Sequence, residues 1–295
     1  MATKFLVLIS VFFSFAAHSS LIIKSYNIRN FASAKSTNLA LLKQILMDNR
    51  ADIIAVQEIK NAGLFKTFIE TELKSYHYKA VISKCGGAGK QKLGFIYNSK
   101  RLELKSFTED LSLTGTTPTC NGSSRPAAIG IFSDHEDKQD FVAMSLHLKA
   151  GGCKECISKR KFQLKQLSNI IKKAHFSGLE NIIVMGDFNT TEYNKNGQEQ
   201  KYFKSFVAHH MMRDTAEKIA CSSYWGGHDR GDGIEEPSML DHILITKSFM
   251  ENYSKAKASV ALHCQKNLCK RTPSQKMGMA YKQVSDHCPI SLDMR

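Results

Sequence analysis

The chain has 295 residues, 42% of them apolar and 23% charged, with 18 Gly and 5 Pro. It carries enough apolar side chain for one large core, which excludes a disordered or collagenous protein, and no segment repeats at a fixed period, which excludes a solenoid. Lys and Arg number 41 against 27 Asp and Glu, a formal charge of +14 that suits polyanionic partners such as nucleic acid or acidic membrane surfaces.

Met1-Ala2-Thr3-Lys4 precedes an apolar run from Phe5 to Ala17, with small residues at Ala17 and Ser19. A charged start, a short apolar stretch and a small-residue cleavage site predict a secretory signal peptide over residues 1–19, leaving residues 20–295 as the mature domain, secreted or periplasmic. The run is too short to cross a hydrocarbon core of about 30 Å as a helix, and no later segment reaches the required length of about 20 residues. No membrane insertion is expected.

Short β-branched runs predict strands over 21–26, 53–56, 93–97, 127–132, 141–148, 181–185, 242–245, 259–262 and 289–294. Helical spacing places Leu39, Leu42, Ile45 and Leu46 on one face after a cap at Thr37. Leu64, Phe65, Phe68, Ile69 and Leu73 form a second stripe, and Phe162, Leu167, Ile170, Ile171 and Ala174 a third after Ser158. At least nine strands and three helices predict two packed sheets flanked by helices in one layered α+β domain. Segments 86–92, 120–124, 193–200 and 228–236 are expected as loops.

All eight cysteines (Cys85, Cys120, Cys153, Cys156, Cys221, Cys264, Cys269 and Cys288) follow the cleavage site, and an even number in an exported chain predicts disulfides without selecting their pairing. Cys153-Lys-Glu-Cys156 admits two other readings, a redox pair or, with Cys264 and Cys269, half of a zinc site. Neither is favoured, because the sequence displays no βαβ context around the motif and the second pair has four intervening residues.

Polar groups interrupt the apolar runs at six places. Asn27 follows the first strand, and Glu58 follows Ile53-Ile54-Ala55-Val56-Gln57. His147 lies within Met144-Ser145-Leu146-His147-Leu148, while Asp187 and Asn189 follow Ile182-Ile183-Val184-Met185-Gly186. Asp241 precedes His242, and Asp286 and His287 precede the last strand. A carboxylate buried alone beside such residues costs several kcal/mol, so these groups must reach solvent or share partners. Carboxylates with an amide suit a hard cation, Mg²⁺ with Mn²⁺ or Ca²⁺ as alternatives, and histidines move protons near neutrality. Together they fit hydrolysis of a phosphate ester.

Ser25-Tyr26-Asn27-Ile28-Arg29, Gln57-Glu58, Ser145-Leu146-His147-Leu148, Met185-Gly186-Asp187-Phe188-Asn189, Leu240-Asp241-His242 and Ser285-Asp286-His287-Cys288-Pro289 occur in this order. In that order and spacing the chain resembles the endonuclease/exonuclease/phosphatase superfamily, in particular its deoxyribonuclease I branch, over about residues 21–295. The resemblance implies a four-layer αββα sandwich, two mixed and mostly antiparallel sheets between helices, with the active site at one sheet edge. It implies Glu58 as principal ligand of a divalent cation, assisted by Asn27 and Asp286. Asp187 and Asn189 would orient the scissile phosphate, the water or a second cation. His287 would be a general base or phosphate ligand held by Asp241, and His147 the second histidine. Arg125 and Arg29 would meet substrate phosphate, to which an arginine fork is suited.

Departures from the branch are informative. The glutamate that pairs with its first catalytic histidine falls on Gln91, whose neutral amide can orient His147 but stabilises the protonated ring less. Its minor-groove arginine corresponds to Lys60, and its stacking tyrosine falls near Gly89. Cys153 and Cys156, directly after the His147 motif, resemble secreted bacterial members and are expected to staple the loop beside the site.

Basic residues spread along 84–105, 149–173 and 255–282 favour a long anionic backbone, because many phosphate contacts release counterions together. The expected activity is a secreted, metal-dependent phosphodiesterase, a non-specific endonuclease acting as a monomer on double-stranded DNA with RNA as a second substrate; the resemblance implies that it leaves 5′-phosphates. Tyr224 and Trp225 are the aromatic candidates for a base or sugar contact. The alternatives are a sphingomyelinase or other phospholipid phosphodiesterase, which calls for an exposed apolar element, and a catalytically silent binding protein on the same fold.

Overall fold

The computed structural model describes residues 20–295 apart from 196, 228, 230 and 254, so the proposed signal peptide lies outside the described residues. In chain order the strands are β1 (Leu21–Phe31), β2 (Ile53–Ile59), β3 (Tyr78–Ile82), β4 (Lys92–Asn98), β5 (Leu102–Asp110), β6 (Ala127–Asp134), β7 (Gln139–His147), β8 (Ile182–Asp187), β9 (Met212–Asp214), β10 (Ser223–Trp225), β11 (Ile234–Ser238), β12 (Asp241–Thr246), β13 (Ala256–Val260), β14 (Thr272–Pro273) and β15 (Ile290–Met294). The longer helices are α1 (Leu39–Met47), α2 (Ala62–Glu72), α3 (Lys154–Phe176) and α4 (Gln198–His209). Shorter ones are α5 (Lys247–Glu251), α6 (Leu262–Lys266) and α7 (Gly278–Gln283).

Two six-stranded sheets, ordered β13-β15-β1-β2-β4-β3 and β5-β6-β7-β8-β12-β9, pack on each other, and β10, β11 and β14 form a small third sheet. Each large sheet is antiparallel except for one central pair, β1 with β2 and β7 with β8. A parallel pair needs a crossover, and α1 and α3 supply it.

The layers follow from the side-chain period of two. In β2, Ile53 and Ala55 join the core between the sheets with Phe95, Phe132 and Ile183. Ile54 and Val56 point the other way, onto Leu42, Ile45 and Leu46 of α1 and Phe65, Phe68 and Ile69 of α2. A strand buried on both faces carries a continuous apolar run, which is what made β2 visible in the sequence. Leu164, Leu167 and Ile171 of α3 join the core of the second sheet. Helices, sheet, sheet and helices give the four layers that the resemblance implied.

Each of the nine expected runs overlaps a strand, but several local expectations need correction. The cap of α1 is Asn38 rather than Thr37, since the Asn38 Oδ1 accepts from Leu41 N at 3.0 Å. Helix α3 starts at Lys154 with Cys153 as its N-cap, ahead of Ser158, and Phe162 is only partly buried. Segment 193–200 is not all loop: α4 begins at Gln198, and only Phe203 and Phe206 mark its apolar face. Strand β11 begins inside the expected loop 228–236. Strand β5, Leu-Glu-Leu-Lys-Ser-Phe-Thr-Glu-Asp, escaped the sequence reading because it lies at a sheet edge, where charged residues are tolerated and protective.

The cysteines pair as Cys85–Cys120, Cys153–Cys156, Cys221–Cys269 and Cys264–Cys288. Cys264 and Cys269 thus have different partners, which removes the half-zinc-site reading. Cys221, Tyr224, Cys264, Met277 and Cys288 form a separate apolar cluster. Tyr224 is 1% exposed and its hydroxyl donates to Lys270 O at 3.0 Å, so it is core and not a base contact. Among the described residues, no helix is long and apolar enough to cross a membrane.

Candidate active site

A parallel pair ends on one edge of its sheet, and an antiparallel neighbour starts on that edge. Strands β1 and β2 therefore deliver Asn27 and Glu58 together, and β7 and β8 deliver His147 and Asp187 in direct register. Antiparallel β12 sets Asp241 opposite Asp187, and the segment before β15 brings in His287, bridged to Ser223. Beneath them, the Gln57 amide donates to Ser145 Oγ at 3.1 Å and that hydroxyl donates to Val56 O at 3.3 Å, a buried polar link between the sheets.

The backbone is specialised at these ends. Glu58 has φ 64° and Asn189 φ 53°, left-handed values rare outside glycine although asparagine tolerates them. Gly186 has φ 138°, and a Cβ there would lie 2.1 Å from Leu146 O on the neighbouring strand.

Asp187 is the hub. Asn27 Nδ2 donates to Asp187 Oδ2 at 3.1 Å and to Glu58 Oε1 at 3.2 Å. His147 Nε2 lies 3.4 Å and His287 Nε2 3.7 Å from the same Asp187 oxygen, and His147 Nε2 is 3.8 Å from Glu58. Asn189 N donates to Asp187 Oδ1 at 2.9 Å, and Asn189 Nδ2 donates to Leu148 O at 3.2 Å. His287 Nδ1 pairs with Asp241 Oδ2 at 2.7 Å, an oxygen that also accepts from Ser222 Oγ at 2.7 Å. Glu58 Oε2 accepts from Asn30 N at 2.9 Å.

Burial, reinforced by Asp241 and Glu58 and opposed by His287, raises Asp187 to about 7. Burial also lowers His147 well below the usual histidine value, with Arg125 and His287 adding repulsion. His287 goes the other way: burial disfavours its charge, but Asp241 and Asp187 outweigh burial and hold it well above the ordinary value. The surroundings thus drive the two histidines in opposite directions, His147 toward the neutral ring and His287 toward the imidazolium.

The other candidates divide. Gln91 does not orient His147, contrary to expectation: its Nε2 donates to Asn30 Oδ1 at 2.9 Å and its oxygen accepts from Arg125, so both ends of the amide are engaged. His147 Nδ1 is buried without a partner among the described residues. Arg125 also donates to Leu148 O at 3.5 Å, and Arg29 Nη2 donates to Lys282 O at 3.1 Å. Lys60 is exposed, two residues beyond Glu58. Asp286 offers its carbonyl to Tyr224 N at 3.0 Å and to His263 at 3.2 Å; among the described residues its carboxylate makes no hydrogen bond or ion pair with Glu58 or Asn27.

Several supporting residues were not anticipated. Asn30 joins Glu58 to Gln91, and Ser222 orients Asp241. His242 is fully buried between Thr190 Oγ1 at 2.8 Å and Asp214 Oδ2 at 3.0 Å, which fixes the turn after Asn189. Arg160, 2% exposed, donates to Lys149 O at 2.7 Å, Gly151 O at 2.6 Å and Thr191 Oγ1 at 3.1 Å, and pairs with Glu199. It thereby clamps the loop after His147 to the loop after Asn189. A charge at helical spacing with Leu164, Leu167 and Ile171 was the available clue.

The donor set suits a divalent cation. Asp187, Asp241 and His287 offer ligand atoms within 4.8 Å of one another, Glu58 is joined to Asp187 through Asn27, and among the described residues Asp241 Oδ1 is buried without a partner. Crowded buried carboxylates, one raised to about 7, are what a hard cation would relieve. A second cluster, His263, Cys264 and Cys288, is no ligand set because its two sulfurs are bonded to each other.

No curated protein matches the sequence. Among solved structures, an endonuclease/exonuclease/phosphatase family protein from Bacteroides thetaiotaomicron is 19% identical, with a TM-score of 0.63 over 94% of this chain and 98% of that one. A mannosyl-6-phosphatase from the same organism is 18% identical, with a TM-score of 0.59 over 93% and 99%. D. rerio TDP2 complexed with single strand DNA product is 15% identical, with a TM-score of 0.61 over 94% and 99%. At these identities the likeness is one of fold. The family model described as Endonuclease/Exonuclease/phosphatase family matches residues 24–295, nearly all of the chain, and the chain belongs to that family of phosphoesterases, whose enzymes generally depend on a divalent metal.

Proposed function

We propose that this protein is a secreted, divalent-metal-dependent phosphodiesterase that hydrolyses DNA, with RNA as a second substrate, and leaves 5′-phosphate ends. The observation that carries the reading is the hub at Asp187, approached by His147 and His287 and joined through Asn27 to Glu58. Fold alone does not choose a substrate. Charge favours a polyanion: the chain carries +14, Arg125 interacts electrostatically with Glu58 and Asp187, Arg29 N donates to Asn27 Oδ1, and exposed Lys60 lies two residues beyond Glu58. The relative complexed with a single strand DNA product shows that this fold accommodates nucleic acid in another protein. Four disulfides support export.

Glu58, assisted by Asn27 and Asp286, would hold the cation, whose chemistry is to offset charge on the phosphoryl oxygens. His287, as an imidazolium held by Asp241, presents its Nε2–H to a phosphoryl oxygen. Asp187, whose proton affinity burial raises, would accept a proton from the attacking water. Asn189 holds Asp187 through its backbone N–H, and neutral His147 shares the same carboxylate. Arg125, anchored by Gln91, supplies a fixed positive charge.

The purified protein should nick and then linearise plasmid DNA with Mg²⁺ or Mn²⁺ and stop when chelator is added. Intact plasmid with Mg²⁺, Mn²⁺ and Ca²⁺ each supplied would sink the reading, and faster release of phosphate from a sugar phosphate than cleavage of DNA would move the substrate to phosphomonoesters.

A further inference from the structure

Cys153 and Cys156 are bonded at the first turn of α3, and nothing in the phosphoryl cluster uses them. The sequence displayed no βαβ context for this Cys-Lys-Glu-Cys motif, but the structure has one. Strand β7 leads through residues 148–152 into the motif, α3 follows, and β8 returns parallel to β7 with Val142 through His147 paired to Ile182 through Asp187. A Cys-x-x-Cys pair that opens a helix sits where the helix N-terminus favours a thiolate, the reactive form in thiol–disulfide exchange.

Three independent features agree. Cys153 is the N-cap of a 23-residue helix, where the dipole and free amides favour a thiolate, and Cys156 N donates to Cys153 Sγ at 3.1 Å. Cys153 is the one exposed residue among the eight cysteines, whereas Cys156 is 9% exposed, an asymmetry that offers one sulfur to attack and shelters the other. The other bridges join residues 35, 48 and 24 apart, but this one spans a separation of 3. So short a ring constrains the unfolded chain least, so stabilisation is not a sufficient reason for it.

We propose that Cys153–Cys156 is a redox-active disulfide that exchanges with external thiols, a site of chemistry separate from the phosphoesterase cluster. The thiolate of an external thiol attacks Cys153 Sγ, the Cys153–Cys156 bond breaks, and Cys156 leaves as a thiolate that takes up a proton. A second external thiolate then attacks the external sulfur of the mixed disulfide, releasing Cys153 as a thiolate. Two electrons pass to the cysteine pair, and the external thiols leave as their disulfide. The reverse sequence reduces an external disulfide.

The test uses the folded, full-length protein titrated with dithiothreitol, alkylated, and read by peptide mass spectrometry alongside circular dichroism. Cys153 and Cys156 should become alkylated together at dithiothreitol concentrations about tenfold below those that open the other three bridges, with the spectrum unchanged. In Cys156→Ser, oxidised glutathione should form a mixed disulfide on Cys153 at least about tenfold faster than it does on Cys156 in Cys153→Ser. The proposal is overturned if the pair stays closed until another bridge opens or the spectrum collapses, or if the two variants react equally fast.

Discussion

Asp187 is buried among Glu58, Asp241, His147 and His287, and burial of its carboxylate raises its proton affinity, which makes stability depend on pH. Its folded value of about 7 lies above the unfolded value near 4, so between those pH values the folded chain binds more protons than the unfolded one. The sign follows: in chelator, the contribution of this group to stability is fully present below about pH 4 and is lost as pH rises to about 7. Asp187→Asn should therefore melt higher than the wild type at pH 8 in chelator, by the equivalent of roughly 2–4 kcal/mol, with the gain fading toward pH 4. Thermal melts at the two pH values decide it; no gain at pH 8 would mean the carboxylate is not penalised. Asp187→Ala and His287→Ala should each lose activity on plasmid DNA by orders of magnitude while melting within a few degrees of wild type. Gly186→Ala should be severe for a different reason: its Cβ would meet the backbone Leu146 O at 2.1 Å, which cannot swing aside as a side chain could, so a loss of several kcal/mol in urea titration is expected.

At the scale of elements, the site depends on loops that follow strands, and those loops are tied by side chains from helices. Arg160 of α3 holds the carbonyls of Lys149 and Gly151, the Thr191 hydroxyl and the Glu199 carboxylate. Removing one partner of a buried ion pair leaves an uncompensated charge, so Arg160→Met should cost about 3–5 kcal/mol in a denaturant titration, and adding Glu199→Gln should recover a good part of it. A double variant no better than the single would show that the pair itself contributes little. Strand ends were legible in sequence because an acid or imidazole closing a β-branched run is conspicuous, as at Glu58, His147 and Asp187. The clamps were not, because a lone Arg in a basic helix, or Ser222 before a short strand, looks the same whether it faces solvent or a carboxylate.

For the whole molecule, the positive charge makes substrate choice a long-range question. If DNA is the substrate, log kcat/KM on plasmid should fall linearly with log salt, each neutralised phosphate adding about −0.9 to the slope. A flat profile would argue for a small phosphate ester. The disulfides act at this scale too: Cys264–Cys288 closes a separation of 24 residues beside His287, and replacing both cysteines by serine should cost on the order of 3 kcal/mol.

Nine strand-forming runs, the apolar stripes of three helices, the resemblance to the family, and the list of acids, amides and imidazoles at strand ends were legible in the sequence alone. Each rests on local periodicity or on short motifs whose spacing survives without coordinates. Only the tertiary structure decided which cysteines pair, that Gln91 turns to Arg125 and Asn30 and leaves His147, that Tyr224 is core, and that Cys153 opens the helix of a βαβ unit. Those outcomes depend on distances between residues far apart in the chain, and such distances exist only after the sheets have packed.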